Sequence, residues 1–247
     1  MNLVNSHKKS LSDAKIRKAF SHFLDREPSE RLQYVQKRFD SPFTGYSYLG
    51  QTDSFNQYAE DGLHSFVLSD YSPIDQLPEE FQEFMKTEWE KLKEEVKEVE
   101  LNTIEALKLS AASEFVRFKL GYMLSCNYYP PQSQLTDPAK KIRIHKHKDV
   151  SFISTFPFGV EPGLVVHHRN GSMNVGQKQT PISFPGYLME TMTGQKITAA
   201  EHEVKIDHDQ ERFSFSMFSI PKPGSKVMVN GRHLNAQEFY HEYLSLF

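Results

Sequence analysis

The second half of the chain is a succession of short, aromatic-rich segments in which polar and apolar residues alternate, separated by proline and glycine. This texture begins after Ser113, and its spacing is typical of an all-β sandwich or barrel. The predicted strands cover residues 115–126, 142–147, 151–156, 163–168, 186–191, 203–206 and 213–220. We expect this all-β half to carry the chemistry of the protein.

The first half is predicted to be largely helical. Apolar residues recur every three or four positions over residues 12–24 and 28–39, and Pro28 begins the second of these helices. The longest helical pattern covers residues 78–110, where an apolar stripe lies opposite a face of glutamate and lysine. We expect one long helix there, lying along the outside of a sheet, whereas residues 41–77 lack a clear period and are predicted to form loops and short strands.

The chain of 247 residues is long enough to bury a sizeable core. We expect one compact unit in which a helical N-terminal region, residues 1–112, packs on a catalytic core, residues 113–247. The predicted class is therefore mostly β with flanking helices.

Composition excludes several classes of protein. The formal net charge of −3 lacks the basic footprint of a nucleic-acid-binding protein. The single cysteine, Cys126, excludes an internal disulfide and a multi-cysteine zinc site, and it is predicted to be a small buried hydrophobe. No apolar run approaches the roughly 20 residues that span a bilayer, and the polar N-terminus predicts no signal peptide. We expect a soluble, cytoplasmic protein without a nucleic-acid or membrane partner.

A histidine and an aspartate two residues apart, His147 and Asp149, follow one predicted strand. In extended backbone, residues i and i+2 project to the same side, so this segment can present an imidazole and a carboxylate to one point. Taken alone the pair is weak, because roughly 0.5 such pairs are expected by chance in a chain of this composition. A surface ion pair is the structural alternative.

The downstream histidine is more informative. His202 lies ten residues before Arg212, and Ser214 follows two residues later, a coincidence expected by chance only about 0.04 times. Alternation places Arg212 and Ser214 on one face of the last predicted strand and phenylalanines on the other. An inward guanidinium needs an anionic partner, because an unpaired buried charge is costly, and a bound dicarboxylate would supply it.

These residue types fit one kind of chemistry. Two neutral imidazoles and one carboxylate occupy one face of Fe(II) and leave three positions open for a bidentate 2-oxo acid and O₂. Open positions are typical of a catalytic rather than a structural metal site. Arg212 can bind the distal carboxylate of the oxo acid as a fork, with a hydrogen bond from Ser214.

Together with further motifs in the same order, these residues resemble the Fe(II)/2-oxoglutarate-dependent oxygenase superfamily, specifically its isopenicillin N synthase-like branch. The resemblance covers residues 113–220, and residues 41–110 resemble the N-terminal region of that branch more loosely. The matching segments are Asn127-Tyr-Tyr-Pro-Pro131, His147-Lys-Asp149, Pro162-Gly-Leu164, Gly186 to Glu190 with Thr193-Gly194, His202-Glu-Val204 and Arg212-Phe-Ser214.

The resemblance implies a double-stranded β-helix, or jelly-roll, with iron inside the barrel. By position it implies the iron ligands His147, Asp149 and His202. The cosubstrate contacts that it implies are Arg212, Ser214, Tyr129 and Asn127. The implied reaction consumes O₂ and 2-oxoglutarate, releases succinate and CO₂, and oxidises a substrate.

Two details depart from the family pattern, and one histidine is an alternative ligand. Tyr187 follows Gly186 where the family usually has an aspartate, and the segment between Tyr129 and His147 is slightly long. His145 shares a strand face with His147 and is an alternative ligand. Asp149 is present, which argues against a halogenase, because that class has a small residue at this position.

The leading functional hypothesis is a 2-oxoglutarate-dependent oxygenase, most often a hydroxylase, acting on a small molecule such as an amino acid, a peptide or a secondary-metabolite intermediate. One alternative is an oxidase of the same branch that uses Fe(II) and O₂ without 2-oxoglutarate. A second is a non-catalytic jelly-roll that binds a ligand or a metal.

Overall fold

A computed structural model describes most of the chain. The described residues are 3–6, 10–36, 43–51, 61–109, 115–116, 119–135, 137, 139, 141–168, 170–206 and 208–246. Their α helices are α1 (Ala14–Leu24), α2 (Pro28–Arg31), α3 (Glu79–Thr87), α4 (Trp89–Ala106), α5 (Tyr187–Met192) and α6 (Ala236–Leu244). Their strands are β1 (Val4–Asn5), β2 (Gly45–Ser47), β3 (His64–Ser69), β4 (Leu120–Tyr129), β5 (Ile142–His147), β6 (Ile153–Phe156), β7 (Leu164–His168), β8 (Gly171–Asn174), β9 (Ile182–Pro185), β10 (His202–Lys205), β11 (Arg212–Pro221), β12 (Lys226–Val229) and β13 (Arg232–Asn235).

The strands form two sheets and a hairpin. The major sheet has the order β1-β9-β6-β11-β4-β3-β2, the minor sheet has the order β5-β10-β7-β8, and β12 pairs with β13. All strand pairs are antiparallel. From β5 to β11 the chain passes repeatedly between the two sheets, which is the winding of a jelly-roll. The predicted fold class is confirmed.

The major sheet has a helix-covered outer face. On β11, Phe213, Phe215 and Met217 belong to the same buried cluster as residues of α1, α3 and α4. Because successive residues of a strand point to opposite faces, Arg212, Ser214 and Ser216 face the barrel interior. Directly paired residues of neighbouring strands share a face, so this assignment extends to the strands beside β11.

The single long helix predicted over residues 78–110 is two helices, α3 and α4, which meet at Glu88. The indole Nε1 of Trp89, the first residue of α4, donates to Asp70 at 2.8 Å, which ties the start of α4 to the end of β3. The break lets the apolar residues of both helices pack on the outer face of the same sheet. A helical period cannot reveal such a break, because the pattern continues across it.

One predicted strand is wrong. Residues 186–191 form the turn at Gly186 and helix α5, because the backbone N–H groups of Tyr187 and Leu188 bond the carbonyls of Asp149 and Ser151 at 2.7 and 3.1 Å. Alternation over six residues does not distinguish a strand from a short buried helix.

Other boundaries also differ from the predictions. The strand predicted at residue 115 begins at Leu120 and extends to Tyr129. Strands β8 and β9 were not predicted, and both are only four residues long. The predicted second helix is α2 followed by a 3-10 turn, Leu32–Tyr34, and its last predicted residues, 37–39, lie outside the described residues. Cys126 is fully buried, as predicted.

The C-terminal segment adds the β12–β13 hairpin and α6, which begins with a capping box between Asn235 and Glu238. Residues of α6 join β12, α5 and the segment around Phe152 in a second buried cluster. Among the helices of the described residues, none is long and apolar enough to cross a bilayer.

Candidate metal centre

Three predicted ligands meet inside the barrel. His147 ends β5, Asp149 follows two residues later, and His202 begins β10, directly opposite His147 in the strand pairing. One ligand atom from each side chain lies within 4.8 Å of the others. Asp149 and His202 are buried, and His147 is half-buried.

Both imidazoles are oriented by main-chain carbonyls. The Nδ1–H of His147 donates to the carbonyl of His145 at 2.7 Å, and that of His202 donates to the carbonyl of Ala200 at 3.1 Å. In the neutral form of each ring this pattern leaves the Nε2 lone pair on the side of Asp149, which is the tautomer that a metal ligand requires.

Asp149 presents one oxygen to both rings. Its Oδ1 lies 3.3 Å from Nε2 of His147 and 3.7 Å from Nε2 of His202. Its Oδ2 accepts a hydrogen bond from Ser154 Oγ on β6 at 2.5 Å. The carboxylate is therefore anchored by one oxygen and free to bind a cation with the other.

The electrostatics match this arrangement. Burial opposes the charged form of Asp149, but His202 and the hydrogen bonds from His147 and Ser154 outweigh it and lower the pKa of the carboxyl. Burial lowers the pKa of His202 to about 4, so its imidazole is neutral at neutral pH. Burial also opposes the charged form of His147, yet the hydrogen bond and charge of Asp149 raise its pKa.

The donor set fits Fe(II). Asp149 Oδ1 lies 3.3 and 3.7 Å from the two imidazole nitrogens, so one ion could contact all three ligand atoms. Two imidazoles and one carboxylate on one side form the facial triad of non-haem iron sites.

Arg212 is buried with an unused donor. Its Nε and Nη2 donate to the carbonyls of Pro162 and Glu161 at 2.8 and 3.3 Å, and its guanidinium lies 4.8 Å from the centre of the Tyr129 ring. Nη1 has no hydrogen-bond partner, although the side chain is only 2% exposed. No carboxylate of the described residues forms an ion pair with it. Such a group is costly unless a ligand satisfies it.

Glycine at position 163 allows a close approach to the carbonyl of Lys205, beside this arginine. Gly163 has φ +113°, a conformation that favours glycine, and an added Cβ would lie 2.8 Å from the carbonyl of Lys205 and 3.6 Å from Nε of Arg212. Leu164, the next residue, pairs with Val204. Along β10 in the direction from His202 to Lys205, the Arg212 guanidinium therefore lies past Val204.

The other predicted cosubstrate residues lie on the same inner face. Tyr129 pairs with Arg212, and Asn127 pairs with Ser214. Tyr129 packs with Val204 and Ile206 of the minor-sheet side. Burial raises the pKa of Tyr129 to about 12, so its phenol stays protonated. All four predicted residues are thus brought to one end of the barrel.

A polar wall continues from these residues across the major sheet. One cross-strand row contains Ser47, Ser65, Asn127 and Ser214, and the next contains Ser125 and Ser216. These six side chains, which we call the polar wall, are all buried. Ser125 donates to the amide oxygen of Asn127 at 3.1 Å. Hydroxyl and amide groups therefore line part of the barrel interior beside Arg212, and the second row continues into the apolar Val67.

His145 does not belong to the ligand group. Its ring Nδ1 and its backbone N–H both lie within hydrogen-bond distance of Asp61 Oδ1, at 2.9 and 3.0 Å. Asp61 therefore fixes the strand whose carbonyl orients His147. Neither Asp61 nor Ser154 was predicted as part of the site. Ser154 shares a short serine-rich segment with Asp149, but nothing in the sequence near Asp61 points to a residue 84 positions away.

The departure at Tyr187 has a structural explanation. The position contributes its backbone N–H, which bonds the carbonyl of Asp149, and this contact does not depend on the side chain. The Tyr187 ring packs instead against Phe239 and Tyr243 of α6. Gly186 is required here, because an added Cβ would lie 2.2 Å from the carbonyl of Ser151.

Sequence comparison matches residues 121–221 to the 2OG-Fe(II) oxygenase superfamily. The rice protein leucoanthocyanidin dioxygenase 2 (Oryza sativa subsp. japonica) is 28% identical over 106 residues, which is 42% of this chain and 28% of the relative. Rice leucoanthocyanidin dioxygenase 1 (subsp. indica) matches with the same identity and coverage. The match thus spans little more than a quarter of the length of these curated relatives.

Comparison of structures extends the fold to nearly the whole chain. The structure of full-length Neurospora crassa T7H in complex with alpha-KG has a TM-score of 0.74 and 16% identity, covering 99% of this chain and 86% of that one. A dioxygenase for auxin oxidation from rice has a TM-score of 0.69 and 17% identity, covering 95% and 81%. Both likenesses concern the fold.

Proposed function

We propose, from the match of residues 121–221 to the 2OG-Fe(II) oxygenase superfamily, that the protein is a non-haem Fe(II)- and 2-oxoglutarate-dependent dioxygenase. It oxidises a small molecule, in the simplest case by hydroxylation, and releases succinate and CO₂. The observation that carries the proposal is the unpartnered, buried Nη1 of Arg212 inside the same barrel as a three-ligand set suited to Fe(II).

His147, Asp149 and His202 are the proposed iron ligands. When bound there, Fe(II) with 2-oxoglutarate supplies O₂ activation coupled to oxidative decarboxylation. The protein turns both imidazoles toward Asp149 through the carbonyls of His145 and Ala200, and Ser154 fixes the carboxylate. The ligand atoms therefore need little rearrangement to bind metal.

Arg212 is the proposed anchor for the distal carboxylate of 2-oxoglutarate. Inward residues of β10 are spaced about 6.6 Å apart, and Val204 separates His202 from the level of the guanidinium, a distance suited to a five-carbon diacid. Tyr129 supplies a protonated phenol and Ser214 a hydroxyl at the same end. Two carbonyl contacts hold the guanidinium in place, so its free edge is oriented before the ligand arrives.

The substrate proposed is a small molecule with hydrogen-bonding groups, such as an amino acid, a peptide or a secondary-metabolite intermediate. The polar wall lies on the sheet opposite the histidines, and face-to-face sheets are about 10 Å apart. That space suits a molecule of one or two rings. T7H has been crystallised with alpha-KG and thymine, and such a small polar compound is a reasonable starting point for screening.

Succinate formation from 2-oxoglutarate tests the function. We expect turnover that requires Fe(II) and O₂ and is stimulated by a subset of a panel of amino acids, short peptides and oxygenated heterocycles. His147→Ala and Asp149→Ala should abolish it, while His168→Ala, an exposed histidine on β7, should not. Turnover that persists in the ligand variants would contradict the iron assignment, and preferential stimulation by unfunctionalised hydrocarbons would contradict the substrate class.

A further inference from the structure

Two separate segments hold the proposed iron ligands, and one carboxylate touches both. Glu190, in α5, accepts from Lys148 Nζ through both oxygens, at 2.8 and 3.0 Å. Its Oε2 also accepts from the backbone N–H of Ala199 at 2.7 Å. Lys148 lies between His147 and Asp149, and Ala199 lies three residues before His202.

The contact with Ala199 acts on the orientation of His202. The carbonyl of the next residue, Ala200, accepts from Nδ1 of His202, and the N–H of Ala200 donates to the carbonyl of Pro185. A shift of this segment would therefore turn the His202 ring.

The contact with Lys148 acts on the other two ligands. The backbone of Lys148 is held from a second side, because the hydroxyl of Tyr243 donates to its carbonyl at 2.7 Å. The start of α5 bonds the carbonyl of Asp149 through the N–H of Tyr187. Glu190 thus extends from a helix that is already fixed to the Asp149 backbone.

A second ion pair joins the same two segments but is more exposed. Lys146, next to His147, pairs with Glu201, next to His202, at 3.0 Å, and both side chains are at least 40% exposed. The Glu190 side chain is 12% exposed and that of Lys148 is 34% exposed. Exposed pairs contribute little, whereas a shielded and multiply bonded carboxylate holds its partners more firmly.

We infer that Glu190 is a positioning residue that ties the His147–Asp149 segment to the segment that orients His202, and so sets the spacing of the three ligand atoms. The inference rests on the proposed function of these ligands as a metal site. It assigns Lys148, between the first two ligands, a part in the same bridge. Among the described residues, the hydrogen bonds that Glu190 accepts come from Lys148 and Ala199 and not from the ligand side chains.

Anaerobic titration with Co(II), which absorbs in the visible region, tests the inference on the full chain. We expect Glu190→Ala to raise the Co(II) Kd by about 10-fold or more, as for other groups that orient metal ligands, and to alter the Co(II) spectrum at saturation. Glu190→Gln keeps an acceptor for Ala199 and should show a smaller change, similar to Lys148→Met. The double variant Lys148→Met/Glu190→Gln should be no worse than the stronger single variant, because both remove one interaction.

Lys146→Met is the matched control, and thermal unfolding reports the fold of each variant. If Glu190→Ala fails to fold, Glu190→Gln and Lys148→Met decide the result. Unchanged Kd and spectrum in these folded variants, or an equal change in Lys146→Met, would overturn the inference. Absence of stoichiometric Co(II) binding by the wild type would instead contradict the proposed metal site itself.

Discussion

The two faces of the major sheet have opposite characters, although the same strands form both. On the outer face of β11, Phe213, Phe215 and Met217 pack under helices. On the inner face, Arg212 and Ser214 leave polar groups directed at the barrel interior. The outer face is closed by protein side chains.

The difference separates groups that stabilise the fold from groups that await a ligand. A buried donor without a hydrogen-bond partner lowers the free energy of unfolding. Nη1 of Arg212 therefore does not stabilise the fold when no ligand is bound. The aromatic residues outside, in contrast, supply burial that the chain uses whether or not a ligand is bound. Substitutions on the outer face should therefore lower the free energy of unfolding, whereas substitutions on the inner face should lower the affinity for metal or 2-oxoglutarate.

The largest effect on stability is expected from Phe66→Ala on the outer face. Phe66 is fully buried, with its ring 4.5 Å from Phe81 and 5.1 Å from Phe23 between centroids. Loss of such a ring costs about 3–5 kcal/mol of unfolding free energy. Urea unfolding measures the loss, and Co(II) affinity well below the unfolding transition should be unchanged. A large loss of metal affinity in the folded variant would break the distinction between the faces.

Arg212→Met should act on the cosubstrate. Removing one partner of a buried charge pair costs about 2–5 kcal/mol of binding, which raises the 2-oxoglutarate Kd of the Fe(II)-loaded protein roughly 30-fold or more. Calorimetric titration without O₂ measures the change.

Arg143→Met is the matched control for this substitution. Arg143 is fully buried, its Nε and Nη2 donate to the carbonyls of Gly62 and Pro130, and its Nη1 is also unpartnered. Both variants lose two hydrogen bonds to carbonyls and some stability, but only Arg212→Met should lose affinity for 2-oxoglutarate. Equal losses of affinity would contradict the assignment of Arg212 as the specific anchor.

Glu100, a buried acid of α4, gives the stability of the outer face a pH dependence. Burial raises its pKa from 4.5 to about 7, and it accepts a hydrogen bond from the Tyr122 hydroxyl. Between these values the folded state holds a proton that the unfolded state releases, so stability falls as pH rises from 4.5 to 7, by roughly 3 kcal/mol from this group. Glu100→Gln should remove that slope in urea unfolding. This account would be contradicted if the unfolding free energies of the variant and the wild type depended on pH in the same way.

Ser154→Ala should give the smallest of these effects. The variant removes the donor to Asp149 Oδ2, and loss of such a supporting contact weakens metal affinity roughly 10-fold. Ser183→Ala, on the neighbouring strand β9, removes a similar buried contact with Thr103 and should leave Co(II) affinity unchanged. Equal Co(II) affinities for the two variants would show that Ser154 does not support the ligand.

Most residues of the candidate site could be named from the sequence because they carry specific chemistry at short spacing. His147 and Asp149 share one segment, and Arg212 and Ser214 share one strand, so local alternation was enough to orient them. The supporting residues could not be predicted. Asp61 reaches His145 across 84 positions, and Glu190 reaches Lys148 across 42, contacts that only the folded chain creates.

Several strands were predicted at or near their bounds, including the six-residue β5, but the ten-residue β4 was placed too early. The ten-residue strand β11 was found almost to its ends, whereas the short helix α5 was taken for a strand. Hydrogen bonds from the first N–H groups of helix α5 to the segment around Asp149 favour a helix over a strand at this position. The local pattern of polar and apolar residues does not identify those hydrogen-bond partners.

The most direct test of the inner face as an iron and 2-oxoglutarate site is an anaerobic optical titration of the wild-type protein. We expect a visible metal-to-ligand charge-transfer band only when Fe(II) and 2-oxoglutarate are both present, with one equivalent of each at saturation. His202→Ala should abolish the band. No band in the wild type at saturating Fe(II) and 2-oxoglutarate, or an undiminished band in His202→Ala, would contradict the account.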